Sequence, residues 1–143
     1  DPPTLVLDVC LLLLNRHAPN PANQYKQTGA ASAALDASPH QLIAIMLLTA
    51  RERIRLALAC LERGDVPRKA HAITDACAII GGLNSSLNLE AGGEIADGLS
   101  ALYDYCQRRL LEANLNNDAS PLREIDDILG DIEGAWRQIA PKD

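Results

Sequence analysis

Three residues beside the first long apolar stretch have the types that a nucleophilic triad needs. Asp36, Ser38 and His40 fall within the stretch DASPHQLI, where serine could attack, histidine could take its proton and aspartate could orient the ring. Pro39 and Gln41 indicate a different role, because Ser-Pro-x-Gln is the pattern of a capping box at a helix start. Residues two apart on a helix also point to different sides. We therefore interpret the stretch as a helix start, stabilised by about 1 kcal/mol through the Ser38 hydroxyl.

The other residue types that bind metals or cofactors lack the necessary spacing. No glutamate is followed three residues later by histidine, as a di-iron carboxylate centre in a helical bundle requires. The sequence also has no phosphate-binding glycine loop and no haem attachment motif. No two cysteines are spaced as in a metal knuckle, so we expect small buried hydrophobes, with reduced thiols that fit a cytosolic protein, at Cys60, Cys77 and Cys106. We predict no metal, no cofactor and no catalytic residue.

The distribution of charge excludes a further function. The net charge of −6 argues against nucleic-acid binding, since phosphate contacts need clustered Lys and Arg. The two basic doublets, Arg68-Lys69 and Arg108-Arg109, are expected on mixed helical surfaces. Several carboxylates could pair for acid–base chemistry, but their spacing places them on solvated helix faces: Glu94, Asp97, Asp104, Glu124, Asp126, Asp127, Asp131 and Glu133.

Four segments have the periodicity of amphipathic helices. Apolar residues recur at intervals of three and four over 39–62, 66–88, 93–115 and 121–139. The stripe of the third segment begins at Ile95, and Ser120-Pro121 repeats half of the capping pattern at the fourth. Short breaks force consecutive helices to double back. We therefore predict an all-α fold, an antiparallel up-down four-helix bundle with an N-terminal extended or short helical segment packed on it.

The first predicted helix carries more apolar surface than one core face can absorb. In LIAIMLLTA, over residues 42–50, apolar side chains cover nearly the full circumference of two turns. Two interpretations stay open at this point. Neighbouring helices and the N-terminal segment cover the surface, or it forms a groove for a segment of a partner protein.

Three stretches resemble the FliS family of flagellar export chaperones. They are SPHQLI at the predicted helix start, GGEIADGLSALYDYCQRRLLEANLNND over 92–118 and AWRQI over 135–139, within a similarity from about Tyr25 to Ile139. The resemblance implies a cytosolic four-helix chaperone without ATPase activity. Such a protein binds the disordered C-terminal segment of flagellin, prevents premature polymerisation and supports delivery to the flagellar export gate, whose components are possible second partners. Nucleic-acid binding and stable membrane insertion are not expected.

The resemblance also implies that a leading segment with a tyrosine covers the client site, which makes Tyr25 the first predicted binding residue. The other predicted groove residues are apolar positions outside the main stripes: Ile43, Leu47, Leu48, Ile79, Leu83 and Leu111. The sequence departs from the family at Leu47-Leu48-Thr49, where an aromatic residue followed by Asp-Gly is usual. This departure adds apolar surface to the first helix.

Residues 1–20 have no counterpart in the family pattern, so we predict two regions, this extension and a four-helix chaperone domain over 21–143. The apolar run Leu5–Leu14 is too short to span a bilayer, and it lacks the basic flank of a signal peptide. We expect the run to lie across the bundle's own groove, because an exposed apolar run promotes aggregation. A disordered leader and a contact to another copy of the protein are the alternatives.

Two functions of other classes stay open from the sequence. One is a bundle enzyme or cofactor carrier, which would need ligand-spaced His, Glu or Met on facing helices. The other is a helical adaptor or regulatory protein that binds a different amphipathic segment.

Overall fold

The computed structural model of the protein describes residues 38–87 and 89–138, and these form four α-helices. We number them α1 (Pro39–Glu62), α2 (Val66–Ser85), α3 (Leu89–Asn116) and α4 (Ala119–Gln138). The predicted all-α class and the four-helix bundle are confirmed. The predicted N-terminal packing segment, with Leu5–Leu14 and Tyr25, lies outside the described residues.

Each helix packs mainly on two neighbours, so the helices form a ring in the order α1, α2, α3, α4. Contacts between opposite ends show that neighbours run antiparallel. Lys69 in the first turn of α2 bonds the carbonyl of Asn114 near the end of α3. His40 in the first turn of α1 bonds the carbonyl of Trp136 near the end of α4.

The start of α1 confirms the predicted capping box and adds a contact that was not predicted. Ser38 Oγ accepts from the Gln41 amide at 3.1 Å, and Gln41 Oε1 accepts from the Ser38 amide at 2.8 Å. The buried ring of His40 stacks on Trp136, with centroids 4.8 Å apart. His40 Nε2 donates to the Trp136 carbonyl at 2.8 Å, and Trp136 Nε1 donates to the His40 carbonyl at 2.9 Å. This pair holds the first turn of α1 against the end of α4.

The boundary between the second and third helices differs in detail from the predicted one, although the predicted start of the third helix coincides with a break at Gly93. α2 ends at Ser85, and the amide and hydroxyl of Ser86 both donate to the Gly82 carbonyl of the last turn, at 3.2 Å and 2.6 Å. α3 extends back to Leu89 but is interrupted at Gly93, where φ is 56° and ψ is −134°. Glycine adopts this backbone conformation without the steric cost that a side chain would bring.

α4 also begins earlier than predicted, at Ala119. The carboxylate of Asp118, and not the hydroxyl of Ser120, caps the helix, since Asp118 Oδ1 accepts from the Ser120 amide at 3.0 Å. A carboxylate is favoured there because the helix macrodipole stabilises negative charge at an N-terminus. The chain reaches this cap through Asn117, whose φ of 50° is tolerated by asparagine.

One apolar cluster drawn from all four helices forms the core. Cys60 and Cys106 lie buried in the bundle as predicted, and Cys77 is partly buried. Among the described residues, no buried side-chain nitrogen or oxygen lacks a hydrogen-bond partner. The large aliphatic residues without exposed surface are Leu47, Ile54, Ile80, Leu110, Leu122, Ile125 and Leu129.

Lys69 is buried, so the expectation that it lies on a mixed surface is wrong. Its side chain is 1% exposed, and Nζ donates to the Asn114 carbonyl at 2.9 Å and to Asn117 Oδ1 at 2.6 Å. The last carbonyls of a helix lack partners within the helix and attract positive charge. Lys69 therefore ties the start of α2 to the end of α3.

Partly buried ion pairs join α1 to α4 at positions that were expected to be solvated. Arg51 Nε contacts Asp126 Oδ1 at 2.8 Å, and Arg51 Nη1 contacts Glu133 Oε1 at 2.8 Å. The hydrogen bonds to Asp126 and then to Glu133 raise the pKa of the Arg51 guanidinium. Glu133 is 4% exposed and also binds Arg137. The expectation for these two carboxylates is wrong because their edge of α4 is the one that meets α1.

Gly130 provides the space in which the Arg51 guanidinium lies. It stands between Asp126 and Glu133 on α4, and a Cβ atom at this position would come within 3.1 Å of Arg51 Cζ. Such a distance is closer than ordinary van der Waals contact. The absence of a side chain therefore lets one arginine reach both carboxylates.

Substitution of two glycines in α4 tests this arrangement. Gly134→Ala should raise the free energy of unfolding by about 0.5–1 kcal/mol, because alanine favours a helix and no described residue lies within 4 Å of the added Cβ. Gly130→Ala gains the same propensity but must displace Arg51, so it should be less stable than Gly134→Ala by about 1 kcal/mol or more. Urea unfolding measures both. Equal stability of the two variants would show that Arg51 does not lie against Gly130.

Candidate partner-binding cleft

The seam between α3 and α4 is the most open part of the described bundle. Of the four neighbouring pairs of helices, α3 and α4 contact each other least. Along this seam one isoleucine is 61% exposed, and the other apolar side chains are partly exposed. We call these residues the apolar cleft: Ile95, Leu99 and Leu102 of α3 with Ile128, Ile132 and Trp136 of α4.

Helical spacing places the α4 side of the apolar cleft opposite α3. Glu124 marks the edge of α4 that meets α3, because its carboxylate binds Arg109 of that helix. Ile128 and Ile132 follow Glu124 at intervals of four residues, so they lie on the same edge. Both pack against the core on one side and keep part of their surface in solvent.

The α3 side of the apolar cleft follows the same logic. Arg109 marks the edge that meets α4, and Leu102 and Ile95 precede it at intervals of seven residues, or about two helical turns. The prediction that Ile95 belongs to the core is wrong. Ile95 lies on the same face of α3 as the apolar stripe, but α4 does not cover it. Its side chain therefore stays exposed.

The apolar cleft is closed at one end by polar contacts to Glu124. Its carboxylate accepts from Arg109 Nε at 2.8 Å and from the Tyr105 hydroxyl at 2.7 Å. The bond from Arg109, and then that from Tyr105, lowers the pKa of Glu124, and the same carboxylate raises the pKa of Tyr105. Within residues 89–138 these are the polar links between α3 and α4. The Glu124 side chain keeps 37% of its surface in solvent, as expected, but its carboxylate is also paired with α3.

The core beneath the apolar cleft carries no charge. Tyr103 and Cys106 are 2% and 0% exposed. Burial raises the pKa of the Cys106 thiol to about 11 and raises the pKa of Tyr103. Both groups are therefore protonated at neutral pH, and the thiol is not a nucleophile there. The site can bury apolar surface, but it offers no reactive group.

Three of the predicted groove residues lie in the core. Ile43, Leu47 and Leu83 are 3%, 0% and 2% exposed. The premise that they lie outside the core is wrong, because α1 and α2 each pack on two neighbours and bury a wider arc than one stripe. Their contact with a client stays a prediction.

The remaining predicted groove residues are not brought together on one surface. Leu48 of α1 and Leu111 of α3 are 43% and 56% exposed, but these helices are not neighbours in the ring. Leu111 follows Gln107, whose amide donates to the Cys77 carbonyl at 3.0 Å, so Leu111 faces the α2 side of α3. Ile79 is partly buried.

The apolar cleft was missed from the sequence because its residues have the periodicity of core residues. One signal pointed to it. Gly98 stands between Ile95 and Leu102, at a position where a side chain would help to fill the seam. A glycine on the edge of a helix that faces its neighbour predicts that the two helices do not close the seam between them.

Two further features are absent from the described part of the chain. No group of His, Cys, Asp and Glu among residues 38–87 and 89–138 is arranged to hold a metal ion. None of the helices described there combines the length and the apolar character that crossing a bilayer requires.

Comparison with known sequences identifies the family. The family described as Flagellar protein FliS matches residues 21–143. The chain belongs to the FliS family. The resemblance predicted from the sequence is therefore confirmed. FliS is a family of chaperones, so the interpretation as an enzyme is excluded.

Curated members of the FliS family are similar to this chain over most of their length. The flagellar secretion chaperone FliS of Salmonella typhimurium is 48% identical over 119 residues, which cover 82% of this chain and 88% of that protein. The flagellar secretion chaperone FliSB of Pseudomonas aeruginosa is 39% identical over 117 residues, with 82% and 93% covered. The FliS of Bacillus subtilis is 34% identical over 119 residues, with 83% and 85% covered.

The closed end of the apolar cleft predicts a pH effect on stability. The pKa of Glu124 lies below its ordinary value of 4.5, so the stabilisation from its contacts is complete above that value and is lost as the pH falls through the lower folded pKa. In an NMR titration, Arg109→Gln should raise the pKa of the Glu124 carboxyl. Arg108→Gln removes the same charge from an exposed neighbour and should leave this pKa unchanged. An unchanged pKa in Arg109→Gln would show that the pair does not form in solution.

Proposed function

We propose that this FliS-family chain is a cytosolic export chaperone. It binds the disordered C-terminal segment of flagellin, prevents its premature polymerisation and supports its flagellar secretion. The observation that carries the proposal is the description shared by its relatives, flagellar secretion chaperone, at up to 48% identity over 82% of the chain. The relatives' names supply the role in secretion; flagellin as the client is our inference.

The apolar cleft supplies a physical reason for such a role. A segment that pairs with other subunits in a filament carries an apolar face, which must stay covered before export. Burial of one Ile, Leu or Val side chain contributes about 1.5–3 kcal/mol. A disordered segment loses conformational entropy when it orders on a partner, so several buried side chains are needed to offset that cost. A cleft whose floor has six large apolar side chains supports binding of this kind.

The residues predicted from the sequence keep distinct roles in the proposal. Tyr25 covers the client site before binding. Leu48 and Leu111 supply exposed apolar surface to an extended client that continues around the bundle, beside the partly buried Ile79. Ile43, Leu47 and Leu83 hold α1 and α2 in place beneath these surfaces. A component of the export gate is the second partner, and competition for the client releases it without hydrolysis.

Titration calorimetry of the full chain with a peptide of the flagellin C-terminal segment tests the client. We expect 1:1 binding with a negative heat-capacity change, because apolar surface is buried. A peptide of the same composition in scrambled order is the control. Absence of heat at high micromolar concentration, while a different amphipathic peptide binds, would favour the helical adaptor instead.

A second experiment tests the effect on assembly. The full chain at equimolar concentration should slow the elongation of filaments from flagellin monomers, measured by light scattering, because the bound segment is no longer available to other subunits. A flagellin that lacks its C-terminal segment should not be retained by the protein on size-exclusion chromatography. Unchanged elongation in the presence of a bound client would contradict the proposed protection.

A further inference from the structure

The rim of the apolar cleft carries acidic groups that form no ion pair with the described residues. At its closed end Glu124 is neutralised by Arg109. Asp131 follows Glu124 by seven residues, so it lies on the same edge of α4, about two turns into the open part. Asp131 and Glu94 are both exposed and form no ion pair among the described residues.

Space above the apolar cleft accompanies these charges. Gly98 lies seven residues before Tyr105, which reaches Glu124 of α4, so it occupies the edge of α3 that faces α4. No described residue outside its own helix lies within 4 Å of a Cβ atom built at Gly98. Glu94 precedes Gly98 by one turn on this edge. The open seam therefore combines an apolar floor, two unpaired carboxylates and room for a side chain between them.

We infer that the apolar cleft binds an amphipathic segment that places a Lys or Arg beside its apolar face, with the cation above Gly98 and close to Asp131 and Glu94. The inference rests on the proposed function and names the surface and the chemistry of the client segment. The inference is carried by charge complementarity. Asp131 repeats the position of Glu124 on α4, but no cation of α3 pairs with it as Arg109 pairs with Glu124. A client cation would complete the row of ion pairs that α3 and α4 make only at one end.

The geometry also bounds the length of the segment. From Ile95 to Leu102 the rise along α3 is about 10 Å, or about two helical turns. A client helix of that length presents two or three apolar side chains to the floor and one basic side chain to the rim. The basic side chain contributes selectivity more than affinity, since exposed ion pairs are weak while like charges are rejected.

Filling the space is the first test, with the full chain and the flagellin C-terminal peptide in calorimetry. Gly98→Leu should weaken binding by about tenfold or more, because the added side chain occupies the place of the client. The variant should fold, since leucine favours a helix and its Cβ has no described residue within 4 Å. Gly134→Leu is the matched control: Gly134 follows Gly130, which faces Arg51 of α1, so it lies away from the apolar cleft. Gly134→Leu should bind like the unchanged protein.

Charge reversal is the second test. Asp131→Arg should weaken binding by about fivefold to tenfold, and the loss should shrink at high salt because exposed charges are screened. Asp75→Arg is the matched control. Asp75 precedes Gly82 by seven residues, so it lies on the same edge of α2 as Gly82, which faces Met46 of α1. This edge is away from the apolar cleft. A peptide in which each Lys and Arg is replaced by Gln should bind both the unchanged protein and Asp131→Arg equally.

The outcomes separate this inference from the proposed function. If the peptide binds the unchanged protein and Gly98→Leu equally well, the surface is wrong while the chaperone function stands. If Gly98→Leu weakens binding but Asp131→Arg and Asp75→Arg behave alike, the requirement for a basic residue is wrong. If the peptide does not bind the unchanged protein, the proposed client itself fails.

Discussion

The way in which α4 is held decides the shape of this bundle. Its edge toward α1 is bonded from the middle to the C-terminal end: Trp136 stacks on and bonds His40, and Asp126 and Glu133 share Arg51. Glu133 is 4% exposed, so loss of Arg51 would leave its buried carboxylate without the partner on α1. This contact therefore fixes the position of α4. Toward α3, the described polar links of α4 converge on Glu124 near the connecting turn. α4 is therefore held close to α1. Its seam with α3 is closed near the turn that connects the two helices and is open farther from it.

The other helices reinforce the same asymmetry. α2 and α3 are also bonded along their length, through Lys69 at one end, Gln107 in the middle and Asn84 at the other end. α1 and α2 meet through an extensive apolar contact in which the methyl of Met46 approaches Gly82. The bundle thus consists of two bonded pairs of helices, α1 with α4 and α2 with α3. The pairs meet at a closed apolar contact between α1 and α2 and at a partly open seam between α3 and α4. Exposed apolar surface of this kind is typical of a binding site for another protein.

A chaperone function agrees with this construction in physical terms. The FliS-family chain needs no nucleophile, because shielding a segment is a matter of buried area, and the tyrosine and thiol beneath the apolar cleft are neutral at physiological pH. The site must provide apolar surface that stays uncovered while the bundle remains stable. The bonded edges of α4 and α3 provide the stability that permits this opening.

Much of the fold follows from local sequence. The helix start at Ser38 was predictable because Ser, Pro and Gln at that spacing satisfy each other's backbone groups within one turn. The limits of such reasoning are visible at Lys69 and Glu133, which look like surface residues in the sequence yet are buried by partners far along the chain. Ile95 shows the opposite case, since its place in the periodic stripe predicts burial that a distant helix does not supply.

The sequence by itself determined the four helices, their connectivity and the membership in the FliS family, because these depend on residues a few positions apart and on similarity along the chain. Only the tertiary structure decided which seam stays open. That outcome depends on how closely two helices approach, and the approach is set by contacts such as Arg51 over Gly130, between residues that no local pattern links.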